Sequence, residues 1–235
     1  MSRENVEKRS HCIRCGDCCI ESTPTLQKED VPLVREGTLR KVELYSIRIG
    51  EAVRDNIENK LIITDKELIK VRENKDRRGC IYYDEESRAC TIYGNRPAQC
   101  AAFACWDTAK FMEVYKQPKA ERKDIVHEEV LLALMHEHGT RCSYRCLDGF
   151  VRMIEKKGNK AVERILDLLK FDYHVRVFTA KKLGIDSGEM DFYFGRPLTE
   201  TITMFGLQVV REPDGSFFLT VLDKTRVGSE DLDFL

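Results

Sequence analysis

Four cysteines within eight residues, Cys12-Ile13-Arg14-Cys15-Gly16-Asp17-Cys18-Cys19, constrain this chain more than anything else in it. Four more follow at Cys80, Cys90, Cys100 and Cys105. Neighbours such as Cys18 and Cys19 bridge each other only with strain, and a cytosolic thiol pool keeps ordinary pairs reduced, so disulfides account poorly for the pattern. Metal accounts for it well. A C-x2-C step lets two thiolates converge on one ion or cluster while the intervening amides turn around it. Gly16 gives that turn the backbone freedom it needs.

Spacing leaves two metals open. Structural zinc takes four thiolates tetrahedrally and usually pairs one C-x2-C with another. Here the later cysteines are separated by nine, nine and four residues. Cys12, Cys15 and Cys18 have the two-residue spacings found around [4Fe–4S] clusters, where a remote fourth cysteine completes the set. Cys100, just beyond the Arg96-Pro97 turn, is the candidate for that role, and Arg96 could donate hydrogen bonds to cluster sulfur or a nearby carbonyl. Cys19, Cys80, Cys90 and Cys105 would form a second site or substitute at the first. One or two [4Fe–4S] clusters are the leading reading and Zn2+ the alternative; the plainest account is a metal that only staples a loop-rich region.

At 235 residues, 42% hydrophobic and 34% charged, the chain has enough apolar content for a core. A formal net charge of −1 gives no electrostatic reason to expect nucleic acid or an anionic membrane as partner. The first nine residues have no apolar stretch of the kind a signal peptide needs, and runs such as Val130 to Met135 are too short to span a bilayer. The expectation is a cytoplasmic protein with reduced thiols and a protein partner. Lys75, Arg77 and Arg78 could guide an acidic partner, although a solvated charge run explains them better.

The fold class expected is α+β. A cysteine-rich metal-binding region of short strands and a hairpin, residues 1–107, precedes a mostly helical region, 108–235, that packs on it and ends in a β-hairpin. Lys28 to Arg35 reads as a short helix; Val42 to Ile49, Leu61 to Ile63 and Leu68 to Arg72 read as strands. Cys80 to Tyr83 and Ala89 to Tyr93 read as a hairpin that sets Cys80 near Cys90. Asp107 or Thr108 caps a helix ending before Pro118. Asp124 to His138 carries an apolar stripe stopped by Gly139, and Ala161 to Leu183 a longer one ended by Gly184. Pro197 opens a short helix to Met204. Leu207 to Val210 and Phe217 to Leu222 form the last hairpin through Pro213-Asp214-Gly215.

Other chemistry-bearing residues have bland explanations. Were the helix unbroken, His138, Cys142 and Cys146 would form a ligand ladder, but Gly139 favours a helix end followed by two packed thiols. His127 and His174 fall in helical stretches as packing residues, and Phe192 to Phe194 read as core. No nucleotide-binding glycine motif occurs. Cys105 has no histidine neighbour to make it a nucleophile.

The cysteine pieces Cys12-x2-Cys15-Gly16-x-Cys18-Cys19, Gly79-Cys80-Ile81-Tyr82-Tyr83, Cys90-Thr91-Ile92-Tyr93, Arg96-Pro97-Ala98-Gln99-Cys100 and Cys105-Trp106-Asp107-Thr108 resemble the CxxCxxCC zinc- or iron-chelating family, the YkgJ-like cysteine cluster proteins. The resemblance covers roughly residues 11 to 108. It implies a metal centre at Cys12, Cys15, Cys18, Cys19, Cys80, Cys90 and Cys100, with Cys105 as a further candidate, but no particular reaction. The stretches around Tyr45 to Glu51 and Phe194 to Leu198 are also similar to longer members. A related cysteine pattern occurs in flagellin lysine N-methylase, which keeps a third reading open, a cluster-dependent enzyme acting on a protein side chain.

Overall fold

Short elements dominate the first half of the chain because its glycines, prolines and cysteines interrupt every periodic run. The computed structural model describes residues 10–74, 76, 79–211 and 217–222. The N-terminal stretch, Lys75, Arg77, Arg78 and the Pro213-Asp214-Gly215 turn lie outside these residues. In chain order come helices α1 (Asp17–Glu21) and α2 (Val31–Arg35), then strands β1 (Leu44–Ile47), β2 (Ala52–Asp55), β3 (Lys60–Ile63), β4 (Leu68–Val71), β5 (Tyr83–Asp84) and β6 (Ala89–Cys90). Helices α3 (Ala98–Ala102), α4 (Ala109–Lys116), α5 (Arg122–Ile125), α6 (Glu129–Arg141) and α7 (Tyr144–Arg152) follow. The remainder is α8 (Ile154–Lys157), α9 (Asn159–Leu183), α10 (Met190–Phe194), α11 (Leu198–Thr201) and the hairpin β7 (Leu207–Arg211) with β8 (Phe217–Val221). This is the expected α+β chain. No helix among the described residues is long and apolar enough to cross a membrane.

The chain divides into two compact units, one of Met1–Leu44 with Leu68–Ile125, the other of Tyr45–Glu67 with Val126–Leu235. In the first, the extended segment 24–27 is the spine. The Leu26 amide donates to the Ile69 carbonyl (2.8 Å) and the Ala120 amide to the Leu26 carbonyl (3.0 Å). The Val71 amide donates to Pro24 (3.1 Å). Leu26, Leu39, Leu44, Ile69, Val71 and Ala120 are fully buried around this spine. Asp30 closes the turn below it, accepting from the Gln27 amide (2.7 Å) and from the Ala98 amide (2.8 Å). Its second bond satisfies the first orphan N–H of α3 and so orients the helix that carries Cys100.

In the second unit α9 is the central element. Ala161, Ile165, Leu169, Asp172, Val175, Arg176 and Thr179 repeat at helical spacing and are all buried. The apolar end of this face packs with Tyr144 and Leu147 of α7 and with Leu198 and Ile202. Gly184, left-handed at φ 66°, ends the helix as expected. Asp172 organises the polar end. Asp172 accepts from His138 Nε2 (2.7 Å), from Arg176 Nε (3.0 Å) and from the Leu198 amide (3.0 Å). Arg176 in turn donates to the Gly195 carbonyl (2.9 Å). The hairpin β2–β3 in this unit pairs Ala52 with Ile63 through Asp55 with Lys60.

Several sequence expectations are corrected. Gly139 does not stop a helix: it lies inside α6, which ends only at the Cys142 cap, while residues 126–128 break the preceding run. His127 therefore sits exposed in a connection, and His174 is exposed on α9. Cys146 belongs to α7, whose Ser143 N-cap accepts from the Cys146 amide (3.3 Å), so the ladder of His138, Cys142 and Cys146 does not form. Cys142 is a packed thiol that burial pushes up to about 12. Strand β2 was not expected, and the β5–β6 pairing is only two residues long, with Tyr83 opposite Cys90.

His138 makes the stability of the second unit pH-dependent. Burial holds it down to about 4, with Arg48 and Arg176 acting in the same direction and Asp172 against them. A neutral ring can still donate from Nε2 to Asp172. The unfolded chain takes up this proton near 6.5, the native chain only near 4, so stability is complete above 6.5 and is lost as pH falls through that window. The loss expected is on the order of 3 kcal/mol, read by denaturant unfolding at stepped pH. His138→Gln should flatten the slope between pH 6.5 and 4; an unchanged slope would reject the assignment.

Candidate metal centre

Gly16 and Gly79 bring the first cysteine group onto the second. Gly16 is left-handed (φ 85°), and a Cβ there would collide with the Tyr83 hydroxyl and ring. Its carbonyl accepts from the Cys19 (2.8 Å) and Ile20 (3.0 Å) amides, starting α1 and lifting Cys18 and Cys19 onto the first helical turn. Gly79 is at φ 108°, where a Cβ would lie 2.8 Å from the Cys19 carbonyl oxygen and 2.9 Å from the Ile20 Cα. Only glycine permits that approach. It lets the Cys80 amide donate to the Cys19 carbonyl at 2.7 Å.

Cys80 is fixed from its other side as well. It bridges Glu73, and the Ile81 amide donates to the Arg72 carbonyl (3.1 Å). Tyr82 donates to buried Glu43 at 2.5 Å, and the same carboxylate accepts from Arg40 (2.6 Å). Cys90 enters through the β5–β6 pairing with Tyr83. Cys100 enters on α3, set by Asp30 and by Gln99 Oε1, which accepts from the Thr25 amide (2.9 Å).

These elements gather Cys18, Cys19, Cys80, Cys90 and Cys100 into one electrostatic neighbourhood. Burial pushes Cys80 up to about 11, with Cys90, Glu73 and Cys18 adding to it. Burial likewise pushes Cys100 up to about 12, with Cys80, Cys90 and Cys18 adding and Arg96 opposing. The Cys18 and Cys19 sulfurs are 3.9 Å apart. The contact between the two sulfurs pulls Cys18 down to about 6; that same contact, then burial, pushes Cys19 up. The neighbourhood accepts one negative charge readily and resists more, a deficit that a multivalent cation removes.

The other three predicted cysteines are Cys12, Cys15 and Cys105. Cys12 and Cys105 are exposed and Cys15 is half-buried, and none of the three figures among the leading charges on Cys19, Cys80 or Cys100. The Arg14 amide, at a left-handed residue (φ 56°), points at the Cys12 sulfur (3.4 Å). Arg96 stacks on Tyr93 (3.7 Å to the ring centre), and its buried Nε has no partner among the described residues. That orphaned donor sits within electrostatic reach of Cys100. As the side chains stand, no three His, Cys, Asp or Glu among the described residues are disposed to hold one metal ion. The donor set itself fits a soft metal, since every candidate ligand is a free thiol.

Sequence reasoning named the cysteines and Gly16 but missed Asp30 and Glu43, which orient them from a distance, and quoted Tyr82 only within the hairpin and the family pattern. Gly79 was quoted only as part of the family pattern; a glycine directly before a cysteine was the local signal of a close backbone approach.

Residues 11–121 match the CxxCxxCC family, described as "putative zinc- or iron-chelating domain". The N-terminal region is a CxxCxxCC domain. No curated protein and no solved structure matches the chain. The match begins at the first cysteine group and ends just beyond α4, so it takes in every cysteine of the gathered neighbourhood.

Gly79 offers a direct test of this construction. Gly79→Ala should destabilise the CxxCxxCC domain by more than about 2 kcal/mol in denaturant unfolding, because the new methyl meets backbone that cannot yield. Gly94→Ala, which meets nothing within 4 Å and needs no left-handed backbone, should cost less than about 1 kcal/mol.

Proposed function

We propose that the CxxCxxCC domain holds a [4Fe–4S] cluster on thiolates drawn from Cys18, Cys19, Cys80, Cys90 and Cys100, and that the protein works in electron transfer or in the modification or maturation of a protein partner. The observation that carries this reading is the gathering of five thiols from four separate segments into one neighbourhood that cannot hold several negative charges alone. The orphaned Arg96 Nε beside Cys100 is the kind of donor that bonds cluster sulfur and adjusts its potential. Once bound, such a cluster supplies one-electron chemistry. The chain contributes ligands, hydrogen-bond donors and a fixed backbone frame.

Cys12, Cys15 and Cys105 serve in this proposal as exchangeable or completing ligands. Ile13, Tyr93, Phe103 and Trp106 are each more than a third exposed and flank these cysteines in sequence. Apolar exposure of that kind suits docking against a protein partner. Neither nucleic acid nor membrane is part of the proposal.

One observation favours structural zinc as the second reading. The 3.9 Å between the Cys18 and Cys19 sulfurs is close to the edge of a tetrahedron with Zn–S bonds of about 2.3 Å, which is about 3.8 Å. In that case the metal folds the domain and supplies no redox chemistry.

Iron, acid-labile sulfide and zinc measured per chain on protein purified without oxygen separate the two. About four irons and four sulfides are expected, rising to about eight of each if a second cluster forms. Zinc without sulfide would reject the cluster. Cys80→Ser and Cys100→Ser should each lose most of the bound metal, whereas Cys146→Ser should retain it. Metal uptake by the apoprotein at pH 7 should also release protons, because Cys80 and Cys100 stay protonated until metal arrives. Uptake without proton release would remove both residues from the ligand set.

A further inference from the structure

In the second unit Arg48 is a buried guanidinium that makes no ion pair among the described residues. Its residue is 5% exposed. Nη1 donates to the Cys142 carbonyl (2.9 Å), and the cation lies over the Tyr144 ring (4.7 Å to the centre). Nε and Nη2, the two donors on one edge of the planar group, have no partner among the described residues. The nearby carboxylates are committed elsewhere. Glu51 accepts from Arg196 Nε (2.6 Å) and, through its other oxygen, from the Arg48 main-chain amide (3.0 Å). Asp172 is held by His138 and Arg176.

A buried cation costs several kcal/mol unless an anion or a full set of acceptors meets it. Cation–π contact with Tyr144 and one carbonyl offset only part of that. The Tyr144 hydroxyl, on a residue 2% exposed, is a further buried donor without a hydrogen-bond partner, with Thr201 and Glu51 as its polar neighbours. Glycines pack this pair tightly. A Cβ on Gly195 would lie 2.8–2.9 Å from the Arg48 Cγ, Cδ and Nε, and one on Gly50 would lie 3.0 Å from the Tyr144 Cβ. Both glycines are left-handed, at φ 77° and 87°.

We propose that Arg48 is the core of a small-carboxylate site in the second unit, its Nε and Nη2 gripping the two carboxylate oxygens side by side and the Tyr144 hydroxyl available as a third donor. A guanidinium edge with both donors open matches a planar two-oxygen anion better than a spherical one. With both residues buried, formate and acetate, the smallest carboxylates, are the fitting probes. This site is independent of the metal reading.

The test uses the intact protein after exhaustive dialysis, titrated calorimetrically with sodium formate, acetate, phosphate or chloride at matched ionic strength. Saturable binding of formate or acetate is expected, at least tenfold tighter than chloride or phosphate. Arg48→Lys, which keeps the charge and loses the fork, should weaken it at least tenfold; Tyr144→Phe, which keeps the ring, by about threefold. The Arg48 Nε–H resonance of the unsubstituted protein should move on titration with formate, which decides the matter even where the lysine variant fails to fold. No saturable response and an unmoved resonance would mean that water alone meets the fork, and the proposal fails. Phosphate or chloride binding as tightly as formate would overturn the carboxylate assignment, as would undiminished formate binding in Arg48→Lys.

Discussion

One backbone hydrogen bond holds the cysteine-rich unit to its purpose, the Cys80 amide on the Cys19 carbonyl. It joins residues sixty-one positions apart in the chain, and it exists because residue 79 has no side chain. Cys90 and Cys100 are placed by further contacts. Tyr83 leans on Gly16 and carries Cys90 as its strand partner; Asp30 ties the start of α3 to the turn after the spine, and α3 carries Cys100. Thiols are weak organisers by themselves. A carboxylate, two glycines and a handful of amides do the organising, and the sulfurs follow.

The same division of labour runs through the second unit with the roles reversed. There the apolar face of α9 supplies the cohesion, and charged groups are set into it only where each finds a partner. Asp172 uses both oxygens, Arg176 spans to the carbonyls around Gly195, and Glu51 meets Arg196. Arg48 departs from that pattern with two buried donors unpartnered among the described residues, as do His138 Nδ1 and the Tyr144 and Thr179 hydroxyls with one buried atom each.

Legibility from sequence followed the range of the interaction. The 159–183 helix was readable because its stripe and its terminal Gly184 are local signals. Gly139 misled for a related reason: a glycine favours a helix end, but open space around it and packing on either side let α6 run on at a cost of about 1 kcal/mol. Strand β2 was missed because Arg54 and Asp55 break the apolar alternation. At the site, the cysteines announced themselves by number and spacing. Which of them meet did not, since that depends on Asp30 reaching residue 98 and Glu43 reaching residue 82. His138 was weighed as a ligand from its neighbours in sequence, yet its partner Asp172 lies thirty-four residues on.

The chain's route between its two units bears on how the protein can be dissected and how it is made. Residues 45–67 leave the cysteine-rich unit and join the other, so the polypeptide crosses three times, after 44, 67 and 125. An excised fragment ending near residue 125 would carry a loose hairpin, β2–β3, whose packing partners had been cut away. The faithful truncation is a splice, not a cut: residue 44 rejoined to residue 68, which the bond between the Arg72 amide and the Glu43 carbonyl (2.9 Å) makes a short closure. During synthesis the order is equally constrained, for that hairpin leaves the ribosome long before α6 and α9 exist and must wait for them.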